Sequence, residues 1–130
     1  MEQHTHQVVS PELCGRPSAL EPGRAVVEFE ALESMRADAS GLVHGGFVFG
    51  LADYAAMLAV NHPHVVLGAA QVRFAAPVVV GDRLTAVATA QPVEGKKLPV
   101  EVEVTRAGQS VFSGTFVCFT PARHVLEPRP

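Results

Sequence analysis

Hydrophobic and polar positions divide the chain into stretches with two different periods. Over residues 25–35, Val27, Phe29 and Ala31 alternate with Glu28 and Glu30. That is the period of two expected of a strand with one face in water. Residues 45–61 lose the alternation: glycine, alanine, valine, leucine, methionine and phenylalanine fill nearly every place, with Asp53, Tyr54 and Asn61 as the clearly polar members. The composition favours helix, and a helix apolar on almost all sides has to be enclosed by the rest of the fold. Pro63 stops it.

After Pro63 come runs rich in valine and alanine over residues 65–80 and 84–93, an alternation of Val100, Val102 and Val104 with Glu101, Glu103 and Thr105, and another apolar run over residues 111–120, with Gly81-Asp82, Glu94-Gly95 and Ala107-Gly108 between them as turns. Pro99 belongs at a strand start or a sheet edge. Residues 1–22, with Pro11, Gly15, Pro17 and Pro22, read as an arm with one short helix after Ser10-Pro11. Residues 121–130, with three prolines, read as a loose tail. The order is one strand, one buried helix and about four long strands joined by short turns. It predicts an antiparallel sheet around a single helix, an α+β domain over residues 1–130.

Composition narrows the function classes. The 130 residues are 48% hydrophobic and 18% charged, with a net charge of −3. Clustered Lys and Arg of the kind that binds phosphate backbones are absent, so no nucleic-acid partner is expected. Two cysteines without a paired spacing argue against a disulfide framework and for a reducing cytoplasm. The polar first ten residues carry no signal-peptide pattern. The greasiest stretch contains Asp53 and falls short of the about 20 residues that a membrane span needs, so no membrane partner is expected.

The chemistry concentrates in the segment from Asp38 to Gly46, with Asp53 further on. Gly45 and Gly46 open the buried helix, where unpaired N–H groups and the positive dipole end collect. Glycine lets a ligand approach that backbone, and such a site can hold the oxyanion of a tetrahedral intermediate. The plainer reading is a tight turn. Asp53 is costly inside an apolar helix unless it is paired or functional. Its alternatives are a salt bridge with Arg73 or Arg106, or a raised pKa suited to a general base or nucleophile.

These residues resemble a family. His44-Gly45-Gly46, Leu51-Ala52-Asp53, Arg73-Phe74 with Pro77, and Gly81-Asp82 are similar to the hotdog-fold acyl-CoA thioesterases of the phenylacetate-pathway (PaaI-like) type, over roughly residues 20–120. The resemblance implies a hotdog fold, with an antiparallel sheet wrapped around the central helix. It implies an acyl-CoA substrate and no separate cofactor. Gly45 would supply the oxyanion N–H, Asp53 would activate water or attack the thioester, and His44 would shape the helix entrance. Gly46 would belong to the substrate site.

Spacing adds an argument of its own. Eight helical residues span about 12 Å, so Gly45 and Asp53 of one chain cannot both reach one carbonyl. Two antiparallel helices can bring Gly45 of one copy to Asp53 of another. A homodimer is therefore expected, with a tetramer left open. The chain departs from the family at two positions. Asp38 stands where many relatives have Asn, and Leu67 where many have Ser or Thr. At a pocket mouth, charged Asp38 would disfavour a developing oxyanion, and repulsion between it and an Asp53 lying close by across the dimer would raise one of the two pKa values.

Lys96 and Lys97, in a hairpin turn, could meet CoA phosphates or simply face solvent. His62 and His64 flank Pro63 without a third ligand, so no metal is expected, and His4 and His6 belong to the arm. Gly50 reads as a contact of helix and sheet, and Phe47, Phe49 and Leu58 as core or dimer contacts. Two other functions stay open: a non-catalytic acyl-CoA binder, and a hotdog dehydratase or hydratase, whose His-and-acid pair is not evident here.

Overall fold

The apolar helix lies where its composition requires, across the concave face of a single curled sheet. The structure is a computed structural model and describes residues 1–128. In chain order the elements are α1 (Pro11–Cys14), β1 (Arg16–Glu21), β2 (Arg24–Glu30), a 3₁₀ turn at Glu33–Met35, α2 (Gly45–Val60), β3 (Val66–Phe74), β4 (Arg83–Ala90), β5 (Leu98–Arg106) and β6 (Gln109–Phe119). The six strands form one antiparallel sheet in the order β1-β2-β4-β5-β6-β3. This is the α+β hotdog architecture that the sequence implied.

Alternation aims one face of each central strand at the helix. Ala25, Val27 and Phe29 of β2, Leu84, Ala86 and Ala88 of β4, and Val100, Val102 and Val104 of β5 are all buried. The alanines at positions 25, 86 and 88 keep this floor shallow enough for α2 to lie close, and α2 answers with Leu51, Ala55 and Leu58, all fully buried. Phe49 leans toward β6, its ring 5.4 Å from that of Phe116 and 6.5 Å from that of Phe112, which makes it a core residue.

Three boundaries differ from the sequence reading. The strand expected over residues 25–35 stops at Glu30, because the next residues turn into the 3₁₀ segment. The run over residues 65–80 is a strand only as far as Phe74; Ala75 and Ala76 then turn their N–H groups to the Val111 carbonyl. The first 22 residues are not a free arm. The short helix after Ser10 forms, but residues 16–21 pair with β2 as an edge strand, and residues 2–4 are tied to Tyr54 of α2 and to its C-cap Asn61. Strand β1 carries Pro17 and little alternation, so its structure comes from its partner rather than from its own pattern. Pro99 does stand near the start of β5, and Ala107-Gly108 form the β5–β6 turn with φ of 49° and 83°. The tail runs as turns to residue 128, and its last two positions lie outside the described residues.

Gly15 links α1 to β1 and has no substitute. Its φ is 94°, and a Cβ there would stand 2.6 Å from the Glu28 carbonyl oxygen and 2.8 Å from Val27 Cγ1. Gly15→Ala is therefore expected to cost about 2 kcal/mol or more of stability, read as a lowered urea midpoint at unchanged slope.

Candidate active site

The α2 entrance is built by backbone. His44 N–H donates to the Met35 carbonyl (2.9 Å), and Val43 N–H to the Val78 carbonyl (2.8 Å), which fixes the loop in front of the helix. His44 occupies the N-cap position with extended backbone, and its side chain makes no capping hydrogen bond. Among the described residues no hydrogen bond occupies the N–H of Gly45 or Gly46. Both therefore remain free to receive an anion.

Neither position has room to spare for a side chain. A Cβ on Gly45 would stand 3.2 Å from the Phe74 ring, and one on Gly46 would stand 3.2 Å from the His44 ring. His44 is exposed and packs edge-on against Phe47, with centroids 6.1 Å apart. A cavity of about 330 Å³ opens beside Gly45, lined by Val48, Phe74, Pro77, Val78 and Val111 among others.

Asp53 lies two turns further along α2, in a different environment. Its Oδ1 is buried without a hydrogen-bond partner among the described residues. Burial pushes its carboxyl above the ordinary carboxylate range. The salt-bridge alternative falls away. Arg106 binds Asp82 (2.8 Å) and the Pro77 carbonyl (2.8 Å), Arg73 is exposed on β3, and among the described residues no ion pair includes Asp53.

Two thiols feel the Asp53 charge. Cys14 is raised by burial and then by Asp53, and Cys118 is pushed up to about 12 by the same two causes in the same order. Cys118 faces the core and stands opposite Leu67 on β3, so Leu67 shares its inward face. Asp53 thus belongs to the Leu67 end of β3, and Gly45 to the Phe74 end.

The structure does not bring the remaining candidates to this acid. Asp38 is exposed and caps its own turn, accepting from Ser40 N–H (2.9 Å) and from Ser40 Oγ (2.5 Å). Those bonds hold its carboxyl below the ordinary value, and it does not line the Gly45 cavity. Within one chain burial alone raises Asp53, and the repulsion expected between Asp38 and Asp53 concerns two different copies. Lys96 and Lys97 form the β4–β5 hairpin turn. Lys96 borders a second cavity of about 640 Å³, with Val66, Leu98 and Phe119, at the far end of β3 from Gly45.

His62 and His64 sit edge to face at 5.5 Å, and His62 Nδ1 accepts from the His64 N–H (2.9 Å). Among the described residues no cluster of three or more His, Cys, Asp or Glu side chains could hold a metal ion. Gly50 packs against Cys14 of α1 rather than against the sheet. Sequence reasoning missed Cys14 as a neighbour of the acid, because nothing in a residue's spacing reveals that an arm folds back over a helix.

One helix cradled by a curled antiparallel sheet, with a glycine-opened helix N-terminus and a half-buried acid, defines a hotdog protein with a candidate thioester site. The sequence model of the thioesterase superfamily matches residues 40–113, more than half of the chain. The chain belongs to that superfamily. An uncharacterized protein from Pyrococcus horikoshii is 53% identical, with each chain covered to 98% and a TM-score of 0.95. A mutant of the phenylacetic acid degradation protein PaaI from Thermus thermophilus is 31% identical over 84% of this chain and 95% of that one, with a TM-score of 0.76.

Among curated proteins, methylthioribose-1-phosphate isomerase from Aquifex aeolicus is 48% identical over 89% of this chain. Transcription factor FapR from Caldanaerobacter subterraneus subsp. tengcongensis is 29% identical over 94% of this chain. The chain spans 25% of the first protein's length and 62% of the second's.

Proposed function

We propose that this protein hydrolyses acyl-CoA thioesters at a site completed by a second copy of itself. The observation that carries the reading is Asp53, a half-buried carboxyl whose Oδ1 has no hydrogen-bond partner among the described residues, on a helix whose anion-receptive end lies two turns away. Edge strands supply the route to the second copy. β1 is guarded by Pro17, a register shift and charges at both ends. β3 has one charge, Arg73, and regular pairing from Ala69 to Phe74, so its outer edge is a template for another strand.

A two-fold axis near the middle of β3 would set the Phe74 end of one copy against the Leu67 end of the other. Gly45 of one copy would then approach Asp53 of its partner, and the Lys96 cavity would adjoin the partner's Gly45 cavity. Ionised Asp53 takes a proton from water as the water oxygen attacks the thioester carbonyl carbon. The Gly45 N–H holds the oxyanion. Collapse breaks the C–S bond, and the proton on Asp53 passes to the leaving CoA thiolate. Lys96 would meet the phosphates as a point charge. Among the described residues no helix is long and apolar enough to cross a membrane.

A second reading has its own observation. Leu67 puts an apolar side chain on the inward face near Asp53, which leaves the acid without a neighbouring hydroxyl. That environment suits an acyl-CoA binder without turnover, and the likeness to a transcription factor is compatible with it. Thiol release across a panel of acyl-CoAs, run beside calorimetric binding, separates the two. Release with at least one chain length is expected. Binding without release on the whole panel would replace the hydrolase reading with the binder.

A further inference from the structure

Asn61 ends α2 in the left-handed conformation, with φ of 53°, and is buried there. Both halves of its amide are spent on the N-terminal segment. Oδ1 accepts from His4 N–H (2.7 Å), and Nδ2 donates to the Glu2 carbonyl (2.8 Å). Gln3 Nε2 reaches the carbonyls of Thr5 (2.9 Å) and His6 (3.2 Å) and the Tyr54 hydroxyl (3.4 Å). Thr5 is buried.

At the other end of the segment, Cys14 Sγ lies 4.0 Å from where a Cβ on Gly50 would stand. Residues 2–14 are therefore fastened at both ends along the stripe Gly50, Tyr54, Asn61, which is one face of a helix. Asp53 sits beside that stripe, one turn after Gly50 and next to Tyr54. Asp53 is half-buried, with its Oδ1 out of reach of water. We infer that residues 2–14 form a strap latched by Asn61, that the strap holds this burial in place on the side away from the sheet, and that Asn61 is thereby a positioning residue for the acid. The inference rests on Asp53 being the acid of the proposed site.

The strap acts by exclusion and not by charge. The ionisable groups facing Asp53 are the Cys14 thiol from α1 and the Cys118 thiol from β6, and both are raised, so neither offers a countercharge. His6, in the strap, is lowered by burial alone. Tyr54 turns its hydroxyl to Gln3. Loosening the strap should therefore wet Asp53 and leave its ionic partners unchanged.

Asn61→Gly is the test, because glycine keeps the left-handed backbone and removes only the latch. Three readings are taken on the full chain: amide exchange of residues 2–7, the rate at which Cys14 reacts with dithionitrobenzoate, and the Asp53 titration by carboxyl NMR. Exchange should quicken, Cys14 should react about 10-fold faster or more, and Asp53 should titrate lower, with the acidic limb of kcat/KM following it down. A strap that opens while Asp53 titrates as before overturns the inference, as does a strap that stays closed without the Asn61 amide. Should Asn61→Gly fail to fold, Gln3→Ala, which removes three strap bonds, decides by the same readings. The NMR and thiol readings stand even if thiol release never occurs, so failure of the hydrolase reading is distinguishable from failure of the strap.

Discussion

Asp53→Asn is expected to lower acyl-CoA turnover by about 100-fold or more while the chain stays folded. The amide keeps the shape of the side chain and removes the carboxylate that accepts the proton of an attacking water. Folding should not suffer, because among the described residues no ion pair holds Asp53 in place and its Oδ1 has no partner to lose. The pH dependence of stability gives a second, independent reading. Burial makes the folded chain hold the Asp53 proton more tightly than the unfolded chain does. Between the ordinary carboxylate range and the raised value, the folded state binds more protons, so its stability falls as pH rises through that window. Asp53→Asn should remove that fall. Urea midpoints measured across the acidic range check this, and kinetics on the same samples check the rate. Near-wild-type turnover in the variant would take Asp53 out of the mechanism. Unfolding would mean that the carboxyl has a structural partner after all.

Much of this was legible in the sequence, for reasons that differ from residue to residue. The helix was plain because an all-apolar stretch ending at Pro63 has few other fates. The strands β2 and β5 were plain because alternation survives where one face is buried, and β4 and β6 because apolar runs lie between turn signals. Strand β1 was not legible, since an exposed edge strand with Pro17 needs no apolar face. The place of Asp38 was not legible either. Its likeness to a family position suggests a pocket mouth, and within one chain its own chemistry, an acid two residues before Ser40, builds a local turn. Asp53 was conspicuous from composition alone, but its environment depends on contacts far away in sequence. Cys14 folds back from the arm and Cys118 arrives on the last strand, and no local pattern records either approach.

A mixture of two inactive variants should recover activity if two chains build each site. Gly45→Val is the natural partner for Asp53→Asn. A Cβ at Gly45 already meets the Phe74 ring at 3.2 Å, so a valine there displaces the ring and crowds the approach to the N–H. A displacement of about 1 Å at a reacting group costs on the order of 100-fold in rate, so Gly45→Val alone should be nearly inactive, as should Asp53→Asn. When the two are denatured together and refolded, random pairing makes about half of the dimers mixed, and by two-fold symmetry each mixed dimer holds one site with both substitutions and one with neither. Intact sites are then about a quarter of those in the wild-type protein, and turnover should climb from the residual level of either parent to about that fraction. A site contained within one chain behaves differently, because every chain in the mixture carries a lesion in its own site and refolding restores nothing. Mixing the two folded variants without denaturation gives the control, where recovery should appear only as fast as subunits exchange.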